Sequence, residues 1–284
     1  MKFFFLNLLK FFFAKEIVYF IGNIYLKIEF IFFTKKEILN KNIILKNSLK
    51  TKKRAFILAT GPSLLDCDLK LLKNEDCYSL SNFFLHEDIE YIKPKLHFFA
   101  PYHDLIPIEN WVRWLHLADT KLPKDTSIVL NHSDKKLITK NNIFSVREKY
   151  FIYLSSFASK KNFDVLKPIY GAQTGPLMIL PYLFYLGYKE IYLLGCDANN
   201  LKNYNFEVEN FYDNSLDIRK VATKPWGGGI IKELKANITA FEQFNDYSKL
   251  AKKNNIKIFN LSKNSWIESF EKKKFNDVIN IKKS

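Results

Sequence analysis

Cysteine is scarce: three in 284 residues, at Cys67, Cys77 and Cys196. An odd number without C-x-x-C spacing supports neither a disulfide framework nor a zinc site, and a reducing cytoplasm suits such a chain best. Histidine is sparse too, five in all, with none after His132. Long apolar runs are missing too. Residues 3–33 are rich in Phe, Ile, Leu and Tyr, but Lys10, Lys15, Glu16, Lys27 and Glu29 interrupt them well before the roughly 18–20 apolar residues that a spanning helix needs. The stretch before Lys10 is short for a signal sequence, and no small-residue cleavage site follows it. The sequence has no Walker loop, no G-x-G-x-x-G fingerprint and no internal repeat.

Acidic residues are few relative to basic ones, and the imbalance is local. Residues 1–54 hold 12 Lys/Arg against 3 acids, or +9 of the total +15. A nucleic-acid binder would spread its basic residues and aromatics over one face of a folded domain, and no such module signature is present, so no nucleic-acid partner is expected. The basic, aromatic N-terminus suits helices lying in the plane of a membrane surface, with Lys35, Lys36, Lys41, Lys46, Lys50, Lys52 and Lys53 over anionic headgroups. A helical hairpin packed on the main domain is the alternative. The charges are spread around the helix, and Gly22-Asn23 suggests a break. The expected division is a helical anchor over 1–53, a catalytic domain over 54–271 and a solvated basic tail over 272–284.

Hydrophobic content of 48% is ample for one core. From Arg54 onward short apolar runs alternate with helical stretches. Strands are predicted at 55–59, 77–80, 96–100, 127–130, 150–154, 191–194 and 256–259, and helices at 176–187 and 232–254. This alternation predicts an α/β class, a single Rossmann-like domain with a mainly parallel sheet. Polar residues follow nearly every strand: Thr60 to Ser63, Ser81 and Asn82, Tyr102 to Asp104, Asn131 and His132, Ser155 and Ser156, Asp197 after Gly195, Asn260 and Ser262. In an open parallel sheet such positions converge on one crevice, although turns favour the same residue types. The loop Thr60-Gly61-Pro62-Ser63 reads as a phosphate cradle, with glycine for close backbone approach and Ser63 capping a helix whose amides face an anion.

These blocks carry a resemblance over most of the chain after Arg54. ATGPSL, SNFF, QTGPLM, LGYKEIYLLGCD, YNF and NSWIESF, in that order, resemble bacterial sialyltransferases of lipooligosaccharide synthesis. The first and fourth blocks also resemble a wider group, including motility accessory factor glycosyltransferases and hydroxymethylpterin diphosphokinase-like proteins. The resemblance implies that Thr60, Gly61, Pro62 and Ser63 border the nucleotide phosphate and that Asn82 contacts the donor. It implies further that Thr174 and Gly175 hold cytidine, that Gly195 and Asp197 complete the nucleotide site, and that Tyr204 supports the leaving phosphate. Tyrosine hydroxyls and helix-end amides can stabilise a departing CMP without a metal, so no cofactor beyond the CMP-sugar donor is expected.

The sequence departs from that pattern in three places. Thr60 stands where the sialyltransferases have Asn, Asn199 replaces a second tyrosine, and their catalytic histidine has no counterpart. His103 is the first candidate for the base and Asp213 the second, with His103 equally able to serve as a structural hydrogen-bonding residue. Asp66-Cys67-Asp68 has a D-x-D form that could hold Mg²⁺, but its place after the turn suits helix capping. The stretch from Tyr204 to Gly229, with Trp226 and three glycines, is long for a plain connection and could be a lid.

The expected protein is therefore a peripheral enzyme at the cytoplasmic face of the inner membrane. It would be an inverting transferase moving a nonulosonic acid from a CMP-sugar to a glycan or lipid-linked oligosaccharide acceptor. The alternatives are a pterin-type diphosphokinase requiring ATP and Mg²⁺, with Asp197 joined by Asp66 or Asp104, and a degenerate nucleotide-binding homologue.

Overall fold

The computed structural model describes residues 15–32, 36–203, 208–219 and 229–280. Ten strands occur in it. They are β1 (Arg54–Leu58), β2 (Asp76–Leu80), β3 (Leu96–Phe98), β4 (Ser127–Asn131), β5 (Lys149–Ile152), β6 (Leu154–Ser155), β7 (Ile169–Tyr170), β8 (Glu190–Leu194), β9 (Lys257–Asn260) and β10 (Glu271–Lys272). Eight form one sheet in the order β10-β9-β8-β1-β2-β3-β4-β5, every pair parallel, while β6 and β7 pair separately. Central strands such as RAFIL and EIYLL are apolar and buried after their first, charged residue because both faces are covered, as parallel sheets require.

Four helices cover the sheet or its edge: α1 (Lys15–Phe32), α2 (Ile108–Lys121), α3 (Gly175–Tyr185) and α4 (Gly229–Lys253). One core, with Phe56, Leu58, Phe83, Trp111, Trp114 and Leu26, fills the face under α1 and α2. The other, with Ile57, Tyr78, Met178, Tyr182 and Phe244, lies under α3 and α4. The result is a three-layer α/β domain, consistent with a Rossmann-like fold. From β1 the chain runs outward through β2 to β5, then returns to β8 and proceeds the other way. The strand order thus reverses between β1 and β8, where a ligand crevice is expected at the carboxyl ends.

All seven predicted strands are present, with ends displaced by no more than two residues. The two-residue strands β6, β7 and β10 and the helix α2 were not anticipated. Helix α2 nevertheless carries the spacing that defines one, with Trp111, Trp114, Leu115 and Ala118 buried in a row. Gly22 and Asn23 do not break α1. Gly22 packs against the Phe157 ring, which a β-carbon would meet at 2.2 Å, and Asn23 Nδ2 donates to the Phe157 carbonyl at 2.8 Å.

The segments on either side of the expected catalytic domain are more firmly attached than the sequence suggested. Leu39 and Leu45 are fully buried, and Asn42 Nδ2 donates to the carbonyls of Phe151 and Val165 at 2.9 Å each. Beyond β9, the expected basic tail begins as β10 and continues as a helix, Phe275–Asn280, with Phe275 and Val278 in the core. The Val278 carbonyl accepts Arg54 Nη1 at 3.0 Å, so residues 272–280 are docked rather than solvated. Residues 281–284 lie outside the described residues.

Candidate active site

At the end of β1 the chain must pass close to the end of β8. Ala59 N donates to the Leu194 carbonyl at 2.9 Å and Gly61 N to the Gly195 carbonyl at 2.8 Å, which extends the β1/β8 ladder into the loops. A β-carbon on Gly61 would lie 2.2 Å from Asp197 Oδ2 and 2.6 Å from the Gly195 carbonyl oxygen. Its φ of −67° is ordinary, so glycine is needed here for close approach alone. Gly195 itself has φ of 65° and packs on Leu64.

Asp197 is buried, and its Oδ2 accepts the Ser63 amide at 3.1 Å. The backbone around it is held from the β9 side: Cys196 N donates to Ser262 Oγ at 2.9 Å, Ser265 Oγ to the Cys196 carbonyl at 2.7 Å, and Trp266 N to the Asp197 carbonyl at 2.9 Å. The NSWIESF block thereby acquires a physical reason, since its first residues clamp the carboxyl end of β8. Beside this clamp is an open polar depression of about 580 Å³ lined by Asn199, Lys202, Lys263, Asn264 and Trp266.

One strand across, α3 starts against the end of β2. A β-carbon on Gly175 would meet Leu80 at 2.7 Å, and Thr174 precedes the helix in an extended conformation without capping it by its side chain. The amino terminus of α3 therefore faces the same crevice as Gly61 and Ser63. Three buried oxygens, Ser63 Oγ, Thr174 Oγ1 and Asp197 Oδ1, make no hydrogen bond within the described protein. Buried polar atoms are normally satisfied, so three at the carboxyl end of the central strands are available to a polar ligand. Ser81 (φ 53°) and Ala198 (φ 49°) hold left-handed backbone where β2 and β8 end, the kind of strain that collects at functional sites.

Asn82 is fully buried and engaged at both amide atoms: Nδ2 donates to Tyr212 Oη at 2.8 Å, and Oδ1 accepts Trp114 Nε1 at 2.5 Å. Its position is at the crevice, yet it acts on its neighbours, holding Trp114 and Tyr212. Residues 208–219 lie across the ends of β1 and β2. Phe211 N donates to the Thr60 carbonyl at 3.2 Å, the Phe211 ring packs against the stacked rings of Phe83 and His86, and Asn110 Nδ2 donates to the Arg219 carbonyl at 3.3 Å. Tyr204, with residues 204–207, and Trp226, with residues 220–228, fall outside the described residues.

Sequence reasoning missed the ionic centre of this segment. Arg219 pairs with Asp217, reaches Ser81 Oγ at 3.4 Å and stacks its guanidinium 4.7 Å from the Trp114 ring centroid. Burial pushes the Asp217 carboxyl up, but the bonds and charge of Arg219 outweigh it and hold the group below its ordinary range. The clue was a charged D-x-R inside a stretch whose length already hinted at function.

His103 is partly buried on the loop after β3. Burial, followed by the charge of Arg219, lowers its pKa, against a raising contribution from Asp104. Asp134, also missed, is buried after β4; its Oδ2 accepts the Tyr102 amide at 3.2 Å and so holds the loop that carries His103. Burial pushes the Asp134 carboxyl up to about 6. Asp213 is exposed and capping a turn, Oδ1 accepting the Ser215 amide at 2.8 Å, whereas Asp217 is held by Arg219 beside Ser81. Asp68 likewise caps, accepting the Lys70 amide at 3.2 Å, while Asp66 and Asp104 are exposed. Among the described residues no group of three His, Cys, Asp or Glu side chains is arranged to hold a metal.

No family model matches the chain, and no curated protein does either.

Proposed function

We propose that the protein is an inverting glycosyltransferase that moves a nonulosonic acid from a CMP-sugar to a glycan or lipid-linked oligosaccharide acceptor. It would work as a peripheral protein on the cytoplasmic face of the inner membrane. The observation that carries the reading is the convergence of Gly61, Ser63, Asp197 and the start of α3 on one crevice, with three buried oxygens open to a ligand. Backbone amides at the Gly-Pro-Ser turn and at α3 suit a phosphate, and Thr174 suits the nucleoside hydroxyls. In the transfer the acceptor oxygen attacks the anomeric carbon, the bond from that carbon to the phosphate oxygen breaks, and CMP leaves with the electron pair. The acceptor proton passes to His103. Arg219, held by Asp217, lies close enough to influence His103 and supplies positive charge for the developing CMP anion.

Calorimetry decides the donor. CMP should bind without any divalent ion. Binding of ATP that depends on Mg²⁺, with none of CMP, would replace this reading by the diphosphokinase one. No binding of either nucleotide would leave a degenerate homologue, which the lack of histidine beyond His132 favours.

The base has its own signature. His103→Ala is expected to lower kcat by roughly 10²–10⁴. Because burial and Arg219 lower its pKa, the acid limb of the wild-type pH profile should lie below the ordinary imidazole value of about 6.5. The active, neutral form is then present above that limb and lost as pH falls through it. Full activity in the variant, or an unchanged acid limb, removes His103 from the chemistry.

A further inference from the structure

No helix among the described residues is long and apolar enough to cross a membrane. Helix α1 is apolar on two opposite faces. The inner face docks through Val18, Gly22 and Leu26, with Tyr19 Oη donating to the Ala158 carbonyl at 3.1 Å. One of its two acids is turned inward as well: Glu29 Oε2 accepts the Tyr153 hydroxyl at 2.9 Å. The outer face presents Ile17, Phe20, Ile24, Ile28 and Ile31, all exposed, with Tyr25 and Phe32 at its edge. At 100° per residue these fall within about a third of the helix circumference, a stripe with no charge in it. The scattered charges of the sequence thus resolve into an inward Glu29 and a flank of Glu16 and Lys27.

The position of α1 is informative. Tyr19, Asn23 and Glu29 bond to residues 153–158, directly beyond the carboxyl end of the edge strand β5, so the stripe belongs to the end of the sheet where the crevice opens. Two exposed lysines rim it, Lys27 on the helix and Lys161 just after its docking site, while Lys160 turns away to pair with Asp246 at 3.9 Å. The preceding residues 1–14 add Phe and Leu in quantity, Lys2 and Lys10, and no acid. Lysines further along do not belong to this rim. Lys46 lies over the Tyr185 ring and Lys50 Nζ donates to the Gly187 carbonyl, both near the amino end of β8 and so opposite the crevice.

We infer that the outer face of α1 lies in an anionic lipid surface, with the lysine rim on the headgroups and the crevice end of the sheet turned toward the membrane. An isoleucine-rich stripe with a basic rim is complementary to acyl chains under negative headgroups. A second copy of the chain would instead bring two basic rims together. The inference deepens the transferase reading and rests on it for its purpose, since a lipid-linked acceptor would then meet the crevice directly.

Flotation of the full chain with vesicles tests it, without nucleotide, so the outcome is independent of CMP affinity. The protein should float with vesicles of equal parts phosphatidylglycerol and phosphatidylcholine and float poorly with phosphatidylcholine alone. The triple variant Phe20→Ser, Ile24→Ser, Ile28→Ser should partition roughly a hundredfold less while keeping its thermal midpoint, because the three side chains are already exposed. Lys27→Glu with Lys161→Glu should remove the preference for the anionic vesicles. Failure of the wild type to float overturns the inference, as does a triple variant that floats equally well. A triple variant that merely turns a dimer into a monomer would assign the stripe to a second copy and overturn it too.

Discussion

Gly61→Ala should reduce CMP affinity on the order of a hundredfold and cost about 1–3 kcal/mol of stability, the usual range for overpacking a filled site. The backbone at Gly61 is in a region open to alanine, so no conformational strain enters. The added methyl would overlap the Asp197 carboxylate and the Gly195 carbonyl, both fixed in place: Asp197 by the Ser63 amide and the Trp266 amide, Gly195 by its bond to Gly61 N. Relief requires the β1 and β8 ends to separate, which moves the Ser63 amide, Ser63 Oγ and Asp197 Oδ1 together. Calorimetry with CMP and a denaturant titration on the same variant read the two effects. Asp197→Ala added to Gly61→Ala should be less than additive in both, since it removes the carboxylate that the added methyl strikes. An alanine variant that binds CMP as the wild type does would mean that the ligand approaches elsewhere, and the crevice assignment would fall.

The close approach at Gly61 was legible in the sequence, and so was most of the sheet. A glycine directly after the apolar run RAFILAT, and a second after EIYLL, announce strands ending where backbone must crowd backbone. What was not legible was pairing across long separations. Asp197 meets Ser63 through 134 residues, and the clamp from Ser262 to Trp266 reaches β8 through about half that distance, and neither partner has a local signature. Asp217 and Arg219 were overlooked for a related reason. A D-x-R in a polar stretch looks solvated until Trp114 and Ser81, from different elements, are known to border it. Asp213, one residue past the aromatic pair Phe211-Tyr212, was the more visible carboxylate, but turn chemistry claimed it. The two apolar faces of α1 show a further limit. Residue spacing identifies the apolar positions of a helix, while only the docking partner decides which of them turn outward.

At the opposite end of the sheet, Asp76→Asn should lower stability by roughly 3–5 kcal/mol, the cost of breaking a buried ion pair from one side. Asp76 is almost fully buried. Its Oδ2 accepts Thr51 N and Lys52 N at 2.9 Å each and the Tyr188 hydroxyl at 2.7 Å, and Oδ1 receives the Thr51 hydroxyl and pairs with Lys95 Nζ at 2.8 Å. An asparagine there would leave the Lys95 ammonium uncompensated and set an NH₂ group against donors. Burial alone would push the Asp76 carboxyl up, but Lys95, Thr51 and Tyr188 together hold it below the ordinary range. A carboxyl depressed in the folded state contributes stability that is complete above its unfolded pKa of about 3.9 and is lost as pH falls toward the folded value. The wild type should therefore lose stability through that acid window, and Asp76→Asn should lose less there, having nothing left to protonate. Denaturant titrations at neutral and acid pH give both numbers. The same carboxylate ties residues 51 and 52 to β2 on the side away from the crevice, so the folded variant should bind CMP as the wild type does. A variant that is stable but cannot bind would show that the two ends of β1 and β2 communicate, and the separation of a stabilising end from a ligand-binding end would not hold.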